Sequence, residues 1–440
     1  MNIRQNKINL TVIAFLFLFQ VAYNQEATTK QNDTLKLTDV ISGVIQNNPV
    51  VKESGELINT SDLEIKMAQS AWLPIIDFNG SYSRMAPIPA FDIPGFGHIQ
   101  MYPDNSMNMS LEAKQLLYDF GRTEKGVAIK QINREMAGLT AEQMKEKFAL
   151  ASAGIFYSLY YIQMAKSIVE EHLNTLKKHL EFVENKQKTG SATQYEILST
   201  RVRVSAAETQ LSELQTAYDV QLSHLGTIMG TDLSHVIVQA DTSTTEILNV
   251  EDSVFDFAAA HRNDILILDK KKAMADMNYK LLQAQKYPSL GMFASGGWKN
   301  GYLPEIEKLE ANYIIGVSLQ VPIFGGNRKN IKLKMATCSI DQLNYEAENT
   351  ERTVHDEINE SFLQMQLSER KVQQSQIQVE QAKEAYNHAE VNFKEGVITN
   401  LDLIYASDML AESELQLLKN KIDFKYNQLK FEDAIGEKIY

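Results

Sequence analysis

The chain has 440 residues, of which 44% are hydrophobic and 22% charged, an ordinary balance for a folded protein. Its formal net charge is −13, which disfavours nucleic acid and anionic lipid headgroups as partners and suits an aqueous cavity that prefers cations. A single cysteine, Cys338, excludes a disulfide within the chain, and none lies near the amino terminus to carry a lipid.

In chain order, Arg4 and Lys7 precede the uncharged stretch INLTVIAFLFLF (8–19) and the small or polar VAYNQ. That order predicts a secretory signal peptide over residues 1–24. The stretch is shorter than the ~20 apolar residues of a membrane-spanning helix, and no later stretch is expected to reach that length.

The rest reads as two copies of one plan. KMAQSAWLPIIDF, with Pro74, aligns with KLLQAQKYPSLGMF, with Pro288, 214 residues on. LLYDFGR (116–122) aligns with PIFGGNR (322–328) at a spacing of 206, which holds at Gly190/Gly396 and Thr193/Thr399. The change of spacing falls in the first copy's Pro- and Gly-rich segment APIPAFDIPGFGHIQMYPD (86–104), expected to be a longer loop. The first repeat is placed at 25–230, a connector at 231–250 and the second repeat at 251–440.

Four segments alternate with period two, the mark of strands with one apolar and one polar face. They lie at about 75–85, 106–120, 288–298 and 312–324. Met107, Met109 and Leu111 oppose Asn108, Ser110 and Glu112; Tyr313, Ile315, Val317 and Leu319 oppose Asn312, Ser318 and Gln320. Aromatic residues mark both strand ends: Trp72, Tyr118, Tyr287 and Phe324 at the helix end, Tyr102, Trp298 and Tyr302 by the loops. Each strand pair feeds a proline-free helical stretch, then a break, then more helix, over about 123–229 and 328–435. The fold class expected is therefore α+β, with long antiparallel coiled-coil hairpins and four strands per chain.

No second sheet is available to cover the apolar strand faces, and two aromatic bands around such a surface are the girdles of a transmembrane barrel. Four strands cannot close one. Two chains would supply eight strands and a lumen filled by side chains; three would supply twelve and room for water. A secreted coiled-coil structural protein is the alternative reading.

Each helical break has one form: KTGSATQYEIL (188–198) and KEGVITNLDLI (394–404). Gly190 and Gly396 suit a left-handed helix end, and Thr193-x-x-Glu196 and Thr399-x-x-Asp402 suit capping boxes. No catalytic or metal-ligand motif stands out, so neither an enzyme nor a cofactor is expected.

LKLTDVISGVIQNNPVV (35–51), the QSAWLPIIDFNGSYS block, both strand exits and FKEGVITNLDLIYASDMLAESELQLL (393–418) together resemble the TolC-like outer membrane efflux proteins. The resemblance implies a homotrimer sharing one twelve-stranded barrel in outer-membrane lipid, and a helical tunnel through the periplasm. It implies a passive exit duct for drug, metal or protein export, working with a periplasmic adaptor and an inner-membrane transporter. It also implies a gate at the hairpin tips, with Asp402 in a constriction, Glu196 as a weaker candidate, and Tyr405 where the family has a second aspartate. Gly190, Gly396, Val397 and Leu401 are the expected adaptor-facing residues, and Asn108, Ser110 and Gln320 the expected barrel lumen. Trp72, Tyr118, Trp298 and Phe324 are the expected interfacial aromatics. Two departures stand out: Asn327 where the first copy has Gly121, and HRNDIL (261–266) where the first copy has its proline motif.

Overall fold

A computed structural model describes residues 34–95, 97–233, 236–240 and 252–440. The expected signal peptide lies outside the described residues. The chain divides into two units, one formed by 1–40 with 155–241 and the other by 41–154 with 242–440.

In chain order the elements are β1 (Thr34–Leu35), α1 (Leu37–Asn47), α2 (Pro49–Gln69), β2 (Ile75–Arg84), β3 (Ala90–Ile93), β4 (Gly97–Gln100), β5 (Asn105–Tyr118), α3 (Arg122–Lys188) and α4 (Gln194–Met229). There follow β6 (Ile237–Val238), α5 (Asp252–His261), α6 (Asn263–Ala284), β7 (Ser289–Lys299), β8 (Glu310–Gln320), α7 (Arg328–Lys394) and α8 (Asn400–Ala434). Both long helices, α3 and α7, contain 67 residues, about 100 Å at the α-helical rise for each.

Three features differ from the sequence reading. The first copy's long loop folds into an antiparallel pair, β3 with β4. The expected connector contributes β6, which pairs in parallel with β1. And α3 contains one stretch long and apolar enough to cross a membrane, contrary to expectation. Phe156, Leu159 and Val169, on the part of α3 that belongs to the first unit, are fully buried, so part of its apolar surface packs against protein.

The sheet lies in the second unit, in the order β2-β5-β7-β8, with every neighbouring pair antiparallel. The β5–β7 ladder joins the two copies, pairing Met109 with Trp298 and Leu111 with Gly296. The register collects the apolar phase of all four strands on one face, since Phe78 pairs with Leu111 and Ala294 with Ile315. That face is bare: Tyr313 is 81% exposed, Ile315 71% and Phe78 68%. The other face brings together Asn79, Ser110, Gly297 and Asn312, with Asp77, Glu112 and Ser295 one step along. The β7–β8 ladder ends at Ser289 and Gln320, short of the expected 324. Pro288 and Pro322 flank that end and have no N–H to continue it.

The strand exits explain the first sequence departure. Phe120 and Gly121 are both left-handed in the first copy, as are Gly326 and Asn327 in the second. The turn therefore needs two consecutive residues at positive φ, and each copy meets one position with glycine. Asparagine tolerates that region at position 327. Phe120 bears more strain, and its ring sits between Tyr118, at 4.7 Å, and Tyr287, at 5.5 Å.

Gly297 lies where β7 meets β5, and a Cβ there would fall inside contact distance of the Met109 carbonyl oxygen and of Ser110 Cα. At Gly80 a Cβ would meet only the edge of the Phe78 ring, at 3.5 Å. Gly297→Ala is expected to break the ladder between the copies and leave the chain protease-sensitive in outer-membrane fractions. Gly80→Ala is expected to behave as wild type in the same digestion.

Candidate functional site: the helix tips and the polar sheet face

The tip of the second hairpin is built from backbone outward. Helix α7 ends in a Schellman turn: the Gly396 N–H donates to Phe393 O at 3.1 Å and the Val397 N–H to Asn392 O at 2.8 Å. Gly396 takes φ +78°, which costs glycine little. Thr399 then opens α8 with both halves of a capping box. Its hydroxyl accepts from the Asp402 N–H at 3.3 Å, while Asp402 Oδ2 accepts from the Thr399 N–H at 2.9 Å and the Thr399 hydroxyl at 2.7 Å.

The helical period decides what faces where. Asn400, Leu403, Ile404, Ser407 and Ala411 are buried within the hairpin, whereas Leu401, Asp402, Tyr405 and Met409 are exposed. Asp402 and Tyr405, three residues apart, thus share one outward face. The Thr399 hydroxyl, and then its amide, hold the Asp402 carboxyl below its ordinary range. The cap therefore keeps this carboxylate ionised, so capping and display of charge are compatible.

The first hairpin repeats the device. The Gly190 N–H donates to Gln187 O at 2.9 Å and the Ser191 N–H to Lys186 O at 2.8 Å, with Gly190 at φ +74°. Glu196 Oε2 accepts from the Thr193 N–H at 2.6 Å and its hydroxyl at 2.9 Å. Glu196 is half-buried, unlike Asp402. Both hairpin interiors hold an apolar cluster, Met365, Val372 and Phe424 in the second, with buried polar side chains added there. Leu173, Leu176, Val204 and Ala207 form an apolar cluster in the first. In the second, Ser368, Ser375, Ser407 and Asn420 are buried, and Asn420 Nδ2 donates to Lys371 O at 3.3 Å.

On the polar sheet face Gln320 is exposed and Asn108 half-buried, but Ser110 is only 6% exposed, packed over Gly297. At the helix end of the sheet, Gln115 Nε2 donates to Trp72 O at 2.6 Å and Arg122 Nη2 to Tyr287 O at 3.1 Å. Trp72, Tyr118 and Phe324 are exposed there, and Trp298 is exposed on the apolar face towards the loops. Phe324 is 90% exposed, while Phe120 stacks between Tyr118 and Tyr287.

One group of charged residues escaped the sequence reading. Arg262, Asp264, Glu357 and Asp433 meet where α6, α7 and α8 come together. The available signal was the second departure, HRNDIL, in which Arg262 takes the helix-capping position that Asn48 holds in the first copy.

Removing the Thr399 hydroxyl isolates the cap. Thr399→Ala is expected to cost about 1 kcal/mol, read as a lower thermal midpoint at pH 7, with Thr193→Ala losing a similar amount.

The family model described as outer membrane efflux protein matches residues 40–231 and 254–437, which take in both copies. The alkaline protease secretion protein AprF of Pseudomonas aeruginosa is 21% identical over 323 residues, 72% of this chain and 66% of that protein. The outer membrane efflux protein BepC of Brucella suis is 18% identical over 390 residues, 88% of this chain and 82% of that one. The open-state MtrE outer membrane channel of Neisseria gonorrhoeae superposes with a TM-score of 0.74 at 16% identity, covering 94% of this chain and 96% of that channel. The chain belongs to the outer membrane efflux protein family, exit ducts of the outer membrane with a long helical portion in the periplasm.

Proposed function

We propose that three copies of this chain close one twelve-stranded barrel and form a passive duct. Through it, solutes delivered by an energised inner-membrane pump leave the cell. The observation that carries this reading is the four-stranded sheet, whose β2 and β8 edges are unpaired among the described residues and whose apolar face is uncovered. Lipid tolerates the bare face but not the bare edges, so further copies must supply the missing partners. Twelve strands leave room for water, where eight would be filled by side chains.

In this assembly Asn108, Gln320, Asn312 and Glu112 line the lumen, and Ser110 supports the β5–β7 contact beneath them. Phe78, Leu111, Tyr313 and Ile315 face lipid, with Trp72, Tyr118, Trp298 and Phe324 at its two boundaries. Gly190, Gly396, Val397 and Leu401 present the tips to a periplasmic adaptor. AprF is named for protease secretion and BepC for efflux; a duct serves either, and the pump selects the cargo. No step of this function makes or breaks a covalent bond, and it calls for neither catalysis nor a cofactor.

The gate is assigned to the second hairpin. Three Asp402 carboxylates, kept ionised by their caps, would form an anionic ring at the tunnel end, with Tyr405 beside each in place of a second acid. Glu196 is left to its cap. Asp402→Asn in planar bilayers should reduce cation selectivity and weaken block by divalent cations. Unchanged selectivity together with unchanged block would remove Asp402 from the gate.

A further inference from the structure

We propose that the carboxylates gathered around Arg262 form a proton-operated latch at the base of the second hairpin, binding the end of α8 more tightly as the surroundings acidify. The inference concerns a region distinct from the tips and does not depend on the gate assigned to Asp402.

The latch stands where the two copies part company. In the first copy Asn48 caps α2 with a neutral side chain, accepting from the Val50 N–H at 2.9 Å, and Pro49 follows. In the second, Arg262 holds that position before α6 and makes no cap bond. Instead its guanidinium gathers three elements. Nε and Nη2 donate to the Asp264 carboxylate at 3.1 and 2.7 Å, Nη2 to Glu357 of α7 at 2.7 Å, and Nη1 to Ala434 O at the end of α8 at 2.9 Å. Gly436, at φ +81°, backs directly onto Arg262, where a Cβ would lie 3.0 Å from the Arg262 nitrogen.

Asp433 precedes that carbonyl and lines a cavity of about 440 Å³ with Glu146 and Lys147 of α3 and with Arg262, Asn263 and Asp264. Glu146 accepts from Asn263 Nδ2 at 2.8 Å. The charges acting on Asp433 come from Glu146 of α3, Arg262 just before α6, Asp264 of α6 and Glu357 of α7. Two carboxylates, Asp264 and Glu357, bond the guanidinium while Asp433 and Glu146 line the adjoining cavity with Lys147, and Glu432 and Glu437 flank Asp433 in sequence. Burial, then Glu146, pushes the Asp433 carboxyl up from 3.8 to about 6; Arg262 opposes and Glu357 and Asp264 reinforce. A raised acid binds its proton more tightly in the folded cluster. Its contribution is therefore complete below 3.8 and is lost as pH rises through about 6.

A second contact bounds the window from below. Glu142 of α3 accepts from the Tyr440 hydroxyl at 2.6 Å and pairs with Lys438 at 3.5 Å. Burial raises its carboxyl, but the hydrogen bonds from Lys145 and Tyr440 outweigh it and hold the group below 4.5. That clasp is present above 4.5 and fails as pH falls through the lowered value, so the end of α8 is held tightest near 4.5 and loosens as pH rises through about 6.

The test is hydrogen exchange on the full-length protein in detergent, following backbone amides of 431–440 at pH 5 and pH 7.5 after correction for intrinsic rates. Wild type should exchange about tenfold more slowly at pH 5. Asp433→Asn should stay slow at pH 7.5 and lose most of the wild-type dependence, the remainder coming from Glu432, which burial and Glu437 also raise. Glu146→Gln, which removes the strongest repulsion, should move the wild-type midpoint to lower pH. A pH-independent wild type, or Asp433→Asn that keeps the wild-type dependence, would overturn the latch. If Asp433→Asn does not assemble, an unmoved midpoint in Glu146→Gln overturns it alone.

Discussion

Every backbone N–H and C=O inside a bilayer must find a partner within the protein, and that requirement governs this chain. Its sheet supplies four strands whose internal ladders are satisfied and whose outer edges are not. Its apolar face is what a water-soluble sheet cannot leave bare and what lipid accepts. The edges and the face together demand both a membrane and further copies of the chain, so oligomerisation follows from hydrogen bonding before any interface is considered. The helices then follow from the strands, because each strand pair ends in a left-handed turn that launches a helix of 67 residues.

Duplication supplies the parts, and departures from it are where chemistry collects. Both hairpins close with the same Schellman turn and the same capping box, so neither the glycine nor the threonine distinguishes them. The difference lies in the shorter acid. Asp402 and Glu196 make equivalent cap bonds, yet Asp402 is exposed beside Tyr405 while Glu196 is half-buried. Both interiors hold an apolar cluster, Leu173, Leu176, Val204 and Ala207 in the first hairpin and Met365, Val372 and Phe424 in the second, and the second also buries Ser368, Ser375, Ser407 and Asn420.

The sequence carried the fold class because its signals were periodic. Alternation fixed which face of β8 was apolar, and the register placed Tyr313 and Ile315 where that alternation required. The capping boxes were legible for the same reason: they depend on residues three apart in one chain. What could not be read were contacts between residues far apart in sequence. The β3–β4 pair, the parallel bridge from β1 to β6, and the meeting of Arg262 with Glu357 and Ala434 have no local pattern. Ser110 shows the limit of alternation. Period two placed it on the polar face, but only the pairing with Gly297 shows that it is covered.

The two spacings, 214 before the strands and 206 after them, also acquire a physical meaning. A loop absorbs extra residues cheaply, since closing a longer one costs only slowly increasing entropy, and the first copy's surplus is folded into β3 and β4. A long helix absorbs none. One inserted residue would turn every later side chain by about 100° around the axis, moving Leu403 and Ile404 out of the hairpin and Asp402 into it. The distance from strand exit to helix tip is therefore held to the residue in both copies, and α3 and α7 have identical lengths despite little identity between them. A turn of five residues thus follows a helix of 67 residues in each copy.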